Sequence, residues 1–348
     1  VRIFGWSADN SGCRHYRLQL PFDQLAQRGH DVRVAAKFGV DDGKVAGSSA
    51  LAEEMHEWYA GLDVVVGQRV CMPGPTGIWQ KMARSPSRPL MVYEIDDDLT
   101  SIDPSNRSAF EFYGQPHIRE AIWANAVVAD VVTVSTDHLA EVFSKVNQNV
   151  IVLPNCVPGW LLHHEVPART DGVVTVGWQG SATHDMDWAD SGRQVERYFR
   201  RTDRAELHLM GGVPDTAPRV GRRTGWSDSI DAYYRSVDWH LALAPLKPHV
   251  FNRSKSDLRV KEASALGLPV IASDTGPYPG YVEHGRTGYL VRQPHEWSTY
   301  LRALVEDPDT RTAMGANARE QAAEWTVEHR AADWEAAYSR QLTGAGVR

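Results

Sequence analysis

NRSKSDLRVKEASALGLPVIASDTGPY, residues Asn252 to Tyr278, contains a complete passage from loop to helix to buried strand. Ser256 is of a type that caps helices, and the apolar spacing that follows predicts a helix from about Asp257 to Leu266. Gly267 suits the left-handed position after a helix, and Pro269 prevents its continuation. The run Pro269–Ser273 is apolar throughout, as expected of a strand covered on both faces. A helix feeding such a strand is half of a parallel βαβ unit. Four cations, Arg253, Lys255, Arg259 and Lys261, gather at the start of this passage, with Asp257 among them and Glu262 after them. Lys255 lies at the helix mouth, where the dipole favours anions, and Arg259 lies in the first turn. Repelling cations at a helix N-terminus oppose the dipole. A bound diphosphate would neutralise them, and a solvated basic face is the alternative.

Working outward, similar apolar runs recur along the chain. Strands are predicted at Val1–Trp6, Val32–Ala36, Asp63–Val66, Leu90–Ile95, Val131–Val134 and Val150–Leu153. A second series follows at Val173–Trp178, Glu206–Met210, His240–Ala244, Pro269–Ser273 and Gly288–Val291. Helix-period segments separate them, and from about Glu296 the chain reads as helical, with Asp307 or Asp309 capping a first turn. The Pro- and Gly-interrupted stretch 154–172 reads as a linker. Two doubly wound α/β domains are therefore expected, with ligands at the carboxyl ends of the strands.

The totals agree with this. The 348 residues are 42% apolar and 23% charged, with formal charge -7, which suits a globular protein and argues against whole-surface attraction to nucleic acid. No apolar run reaches the roughly 18–20 residues of a membrane span. Three scattered cysteines and no signal-like start suit a reducing cytoplasm.

Three further loops follow strands and carry chemistry. The loop after the first strand holds Gly12, with Arg14, His15 and Arg17 adding positive charge; a plain glycine bend is the alternative. After LMVYEI comes Asp96-Asp97-Asp98. Crowded carboxylates raise at least one pKa, which suits a proton acceptor, and Asp96-x-Asp98 is also a possible divalent-metal pair; a cap or solvated turn is the bland reading. The third loop opens the second domain: Gly180 and Ser181 offer donors to phosphate oxygens, with His184 as a third, unless Ser181 or a Thr merely caps a helix.

Lys261–Val291, KEASALGLPVIASDTGPYPGYVEHGRTGYLV, resembles the C-terminal donor-binding segment of GT-B glycosyltransferases. It is most similar to the large bacterial family with Glu, small residues, Gly-x-Pro-Val-x-Ala-Ser and a later Gly-x-Leu-Val. GHDVRV at Gly29–Val34 fits the usual N-terminal domain. The resemblance implies two Rossmann-like domains with an interdomain cleft: residues 1–154 binding the acceptor, 172–325 binding the donor, and a C-terminal helix over 326–348 packing back on the first domain. It implies that Glu262 grips the donor ribose, that Lys255 and Arg259 meet the diphosphate, and that Gly180, Ser181 and Gly276 line the donor side. Gly12, Arg14 and Arg17 fall on the acceptor-side loop. Ser254 stands where the family often has an earlier acid, and Asp97 where it often has a histidine. Asp97, with Asp96 beside it, is the implied catalytic base.

The implied reaction moves a sugar from a nucleoside diphosphate sugar, a uridine diphosphate sugar by default, to an acceptor hydroxyl. No other cofactor and no catalytic metal are expected. GC-x-x-YR, DDDL and N-x-x-KS-D-L together resemble a subgroup of bacterial and bacteriophage genomes, so hydroxymethylated phage DNA is one acceptor candidate, in bacterial or host cytoplasm. Glycan or protein acceptors, a non-hydrolysing epimerase and a non-catalytic nucleotide-sugar binder are the alternatives. The basic clusters Arg200–Arg204 and Arg219–Arg223 are placed to flank a DNA-binding cleft, with Trp79, Phe110, Phe112 and Tyr113 as acceptor-side aromatics. Either a monomer or a homodimer is compatible with these features.

Overall fold

Runs such as Val64-Val65-Val66 have no polar face, so they are stable only between two helical layers. The computed structural model describes residues 1–8, 12–35, 58–104, 106–166, 171–180, 182–225, 227 and 229–344. Two compact units are formed: residues 1–100, 113–154 and 330–348 make the first, and 101–112 with 155–329 make the second.

The first unit contains β1 (Arg2–Ser7), β2 (Asp31–Ala35), β3 (Val64–Gln68), β4 (Leu90–Ile95), β5 (Val131–Val134) and β6 (Val150–Val152), all parallel, in the order β2-β1-β3-β4-β5-β6. Ala36, expected in the second strand, lies outside the described residues. The core joins Ile3, Leu18, Phe22, Val64 and Val92 to Trp334, Ala337 and Tyr338 of the last helix, Val327–Gly344.

The second unit contains β7 (Val174–Gly180), β8 (Ala205–Gly211), β9 (Arg222–Thr224), β10 (Leu241–Ala244), β11 (Val270–Ser273) and β12 (Gly288–Val291), again parallel, in the order β12-β11-β10-β7-β8-β9. The strand β9 is absent from the sequence-based expectation. It consists of exposed Arg222, Arg223 and Thr224 at the sheet edge, where backbone pairing needs no apolar signal.

The stretch taken for a linker is more structured than expected. Val157 and Leu161 are buried in the core of the second unit, and Gly159–His163 forms a short 3-10 helix. Proline interrupts regular hydrogen bonding there, but it does not keep neighbouring apolar side chains from packing. Residues 167–170 lie outside the described residues. Downstream, the helices Glu296–Glu306 and Pro308–Ala323 appear where helix was expected. Asp307 caps the second of them by accepting the Thr310 N–H at 3.0 Å.

These strand orders locate the binding crevices. The order in which successive strands are laid across the sheet reverses between β1 and β3 in the first sheet and between β7 and β10 in the second, while all strands stay parallel. Loops at the carboxyl ends of such strand pairs diverge and leave room for a ligand.

Candidate functional site

In the second unit the loops after β7 and β10 are tied together by Asp187. Its Oδ1 accepts the Lys247 N–H at 3.1 Å and the Asn252 amide at 2.8 Å, while Oδ2 lies 2.6 Å from His184 Nδ1. Burial pushes the Asp187 carboxyl up, but donation from His184 and the nearby Lys255 charge outweigh it and hold the group below its usual range. Burial, reinforced by the Arg259 and Lys255 charges, drives His184 down to about 3.

This corrects one sequence-based expectation. With Asp187 ionised and His184 neutral, Nδ1 carries the proton and Nε2 carries a lone pair. In the ligand-free state His184 is therefore a spacer between the loops and not a third phosphate donor. An unfolded histidine protonates near pH 6.5, whereas folded His184 stays neutral down to about 3. The unfolded chain binds the extra proton in that window, so this part of the stability is lost as pH falls from 6.5 towards 3. Thermal melts across the window should show His184→Gln losing less stability than wild type; parallel curves would refute the assignment.

The four cations of the opening stretch divide into two pairs of different character. Lys261 is 1% exposed: it pairs with Asp257 at 2.8 Å, donates to the Asn155 carbonyl at 3.1 Å and lies 3.7 Å from the Trp325 ring centroid. Arg253 is exposed at the end of the Val250–Arg253 helix. Lys255 is half-buried, 4.9 Å from the Phe251 ring centroid, and forms no ion pair among the described residues. Arg259 lies 5.5 Å from the Trp178 ring centroid, and its buried Nη1 has no partner among the described residues. Of the four, Lys255 and Arg259 are the half-buried cations that form no ion pair among the described residues. The helix begins at Leu258 with Asp257, not Ser256, at the cap position. The Ser256 hydroxyl accepts the Asn155 amide at 2.8 Å and also the N–H of Leu258, the first helical residue, at 3.5 Å.

Two glycines allow close backbone approach here. A Cβ on Gly180 would lie 2.7 Å from the Trp178 ring and 3.0 Å from Arg259 Nη2. Gly276 has φ +61, and a Cβ there would lie 2.9 Å from the Asn252 carbonyl oxygen. Ser181 lies outside the described residues.

Glu262 is buried and rigidly held. The Tyr234 hydroxyl donates to Oε1, and the Gln179 amide donates to Oε2. The Tyr233 hydroxyl in turn donates to the Gln179 carbonyl oxygen. Gln179, Asp187, Tyr233 and Tyr234 were not singled out from sequence. A glutamine ending an otherwise apolar strand beside Gly180 was the available signal.

In the first unit the triple acid is separated by its partners. Arg69, directly after β3 and at φ 51, directs Nε to Asp96 Oδ1 and Nη2 to Asp97 Oδ2, the latter at 2.9 Å. Asp98 Oδ1 accepts the Thr100 hydroxyl at 2.6 Å and the Thr100 N–H at 3.2 Å, closing a turn. Burial alone would raise Asp96, but the Arg69 charge and hydrogen bond outweigh it, so its pKa lies below the usual value. The expectation that crowding raises a pKa among these acids is corrected for Asp96, because a cation brought in by β3 compensates the crowding. Nearby Glu94 is raised, pushed by burial to about 7.

The first loop also departs from expectation. Arg17 is a core residue: Nε donates to Glu94 Oε1 at 2.7 Å, Nη1 donates to the Leu153 carbonyl at 2.6 Å, and the Arg17 and Glu94 side chains are both 0% exposed. Burial pushes His15 below its ordinary value, so it adds little charge. Arg14 donates to the Val34 carbonyl at 3.3 Å, and Gly12 begins the short Gly12–Arg14 helix. Trp79 is fully buried, with its indole N–H on the Asn125 carbonyl at 3.1 Å, and is not an acceptor platform.

The family described as Glycosyl transferases group 1 matches residues 258–321, the segment that begins at the Arg259-bearing helix. D-inositol 3-phosphate glycosyltransferase of Jonesia denitrificans is 38% identical over 88 residues, 25% of this chain and 21% of that protein. GDP-mannose-dependent alpha-(1-6)-phosphatidylinositol monomannoside mannosyltransferase of Mycobacterium tuberculosis is 31% identical over 136 residues, 35% of each chain. The matches thus span about a fifth to a third of these relatives. Sucrose-phosphate synthase from Thermosynechococcus elongatus superposes with TM-score 0.66 at 16% identity, covering 99% of this chain and 100% of that one. HepE of Anabaena in complex with UDP-glucose gives 0.65 at 14%, covering 96% and 99%. The fold is that of the GT-B glycosyltransferases. Within it, the second unit carries the matched segment of the group 1 glycosyltransferase family.

Proposed function

We propose that the protein is a glycosyltransferase that moves a sugar from a nucleoside diphosphate sugar to an acceptor hydroxyl. One observation carries this reading: Lys255 and Arg259, without carboxylate partners among the described residues, stand at the strand-order reversal of the second sheet on the same segment as the buried Glu262. The barrier to glycosyl transfer lies in expelling the diphosphate while positive charge grows at the anomeric carbon. Preorganised cations at the leaving phosphates lower it. Glu262, oriented by Tyr234 and Gln179, would accept the ribose hydroxyls. Gly180 and Gly276 would admit the phosphates to the backbone, with Ser181 as a further donor.

In the first unit Asp97 is the better base of the adjacent pair, since it is 23% exposed and Asp96 is buried against Arg69. Asp97→Asn should lower turnover about 100-fold or more while nucleotide affinity stays within about twofold. Undiminished turnover would remove Asp97 from that role. No cofactor beyond the sugar nucleotide enters the proposal.

The acceptor we propose is a hydroxyl on a phosphate-bearing polyol, following the names of the inositol phosphate and phosphatidylinositol relatives. Hydroxymethylated DNA is the second reading, favoured by the exposed arginines of the second unit. A mass-spectrometric screen tests both: UDP- and GDP-sugars are paired with inositol phosphates, hydroxymethylated DNA, plain DNA and simple glycans. A mass increase of one sugar on one acceptor is expected. Conversion of donor without any acceptor would show an epimerase instead, and tight nucleotide binding without turnover a binding protein.

A further inference from the structure

The Gly192–Phe199 helix carries a feature that transfer to a phosphate-bearing polyol does not use. Beside it is an open cavity of about 680 Å³ lined by Arg193, Arg197, Arg200 and Arg201, with Glu196 and Thr216. Arg193 and Arg197 are about one helical turn apart, roughly 6 Å, and Arg200 and Arg201 follow at the helix end, so the four line one cavity as a stripe. Glu196 is committed within this stripe. It accepts Arg200 Nε at 2.9 Å and Nη2 at 2.6 Å, and the Arg219 backbone N–H at 3.2 Å. Arg193, Arg197 and Arg201 form no ion pair among the described residues, and neither do the neighbouring exposed acids Asp190, Asp203 and Asp215. Exposed Arg204, Arg219 and Arg223 extend the same sign of charge.

The helix dipole accounts for Arg200 and Arg201 at the C-terminal end, but it disfavours Arg193 in the first turn. In a chain of net charge -7, unpaired arginines facing one cavity point to an anionic ligand. Guanidinium groups in place of ammonium groups suit the two-oxygen edge of a phosphate. A flat bilayer fits the site less well: the lining is concave, and the exposed large apolar residues Val1, Met72, Ile78, Val127, Trp160 and Val250 all lie outside this helix. Among the described residues that line the cavity the aromatic is Trp188, which is 1% exposed, so the ligand's backbone and not its bases would be recognised.

We propose that the arginine stripe of the Gly192–Phe199 helix binds a linear phosphodiester chain by its phosphates, at a site separate from Lys255 and Glu262.

Fluorescence anisotropy with a labelled oligodeoxythymidine tests it across a salt series, alongside inorganic polyphosphate and anionic phosphatidylglycerol vesicles. Wild type should bind the oligonucleotide at low salt. The triple variant R193A/R197A/R201A should bind at least about tenfold more weakly, with a salt slope smaller by about 0.7 per arginine removed. Alanine suits an exposed helix, and circular dichroism checks that the variant is folded. The control R286A, which removes an exposed arginine paired with Glu283, should bind as wild type does. No binding by wild type, an unchanged triple variant, binding to polyphosphate alone, or a preference for vesicles would each overturn the proposal. Nucleotide affinity should be equal in all variants, so failure here is distinguishable from failure of the proposed transfer.

Discussion

Lys255→Glu lowers affinity for a nucleoside diphosphate by about 100-fold or more. A single charge-assisted hydrogen bond contributes about 1.5–3 kcal/mol, and reversal adds repulsion to its loss. Lys255 forms no ion pair within 4.0 Å among the described residues, and Asp187, whose pKa its charge helps to lower, keeps its bonds from His184, Lys247 and Asn252, so the fold should survive. Arg253→Glu, two positions earlier on an exposed residue, changes net charge equally and should leave affinity within about threefold. Calorimetric titration with UDP and GDP measures both variants. Equal losses would mean that overall charge and not a local site attracts the nucleotide. No loss at Lys255 would place the diphosphate elsewhere. Glu262→Ala should weaken the same binding through the ribose, and Tyr234→Phe more mildly, because it frees one oxygen of a carboxylate still held by Gln179.

Arg69→Met is expected to destabilise the first unit by about 3–5 kcal/mol, the usual consequence of leaving one member of a buried ion pair unpaired. Asp96 and Asp97 both depend on this guanidinium, and Asp96 is buried. The pH response should change sign as well. In wild type the depressed Asp96 pKa contributes stability above the ordinary carboxylate range, lost as pH falls through the folded value. Without Arg69 burial dominates, the pKa rises above its unfolded value, and stability instead declines as pH rises through that window. Adding Asp96→Asn removes the buried charge and should restore part of the loss. Denaturant titration of the two single variants and the double variant reads the coupling. Additive effects would show that Arg69 does not hold Asp96.

The contrast between these two cations also shows how far the residues alone could be read. Lys255 lies at the mouth of a helix whose start, left-handed Gly267 stop and following strand are all local signals. Arg69 carries no such signal: it follows Val-Val-Val-Gly-Gln, and it meets Asp96 only because β3 and β4 are parallel neighbours in register. Lys261 and Arg17 looked like ligand-binding cations in sequence. Both are buried, held by Asp257 four residues away and by Glu94 seventy-seven residues away. The edge strand β9 was missed for a related reason, since exposed arginines pair through their backbones and leave no apolar trace.

Apolar runs, glycines and prolines act over a few residues, so the succession of strands and helices, the doubly wound class and the segment bearing Lys255, Arg259 and Glu262 could be read from the chain by itself. Which charges neutralise one another is settled only when strands distant in sequence become neighbours. Tertiary structure therefore decided that His184 is neutral, that Asp96 is clamped, that Arg17 is core and that Glu262 is oriented by Tyr234 and Gln179. Coulomb energy and desolvation depend on distance and burial in space, and neither is written in the spacing of residues along the chain.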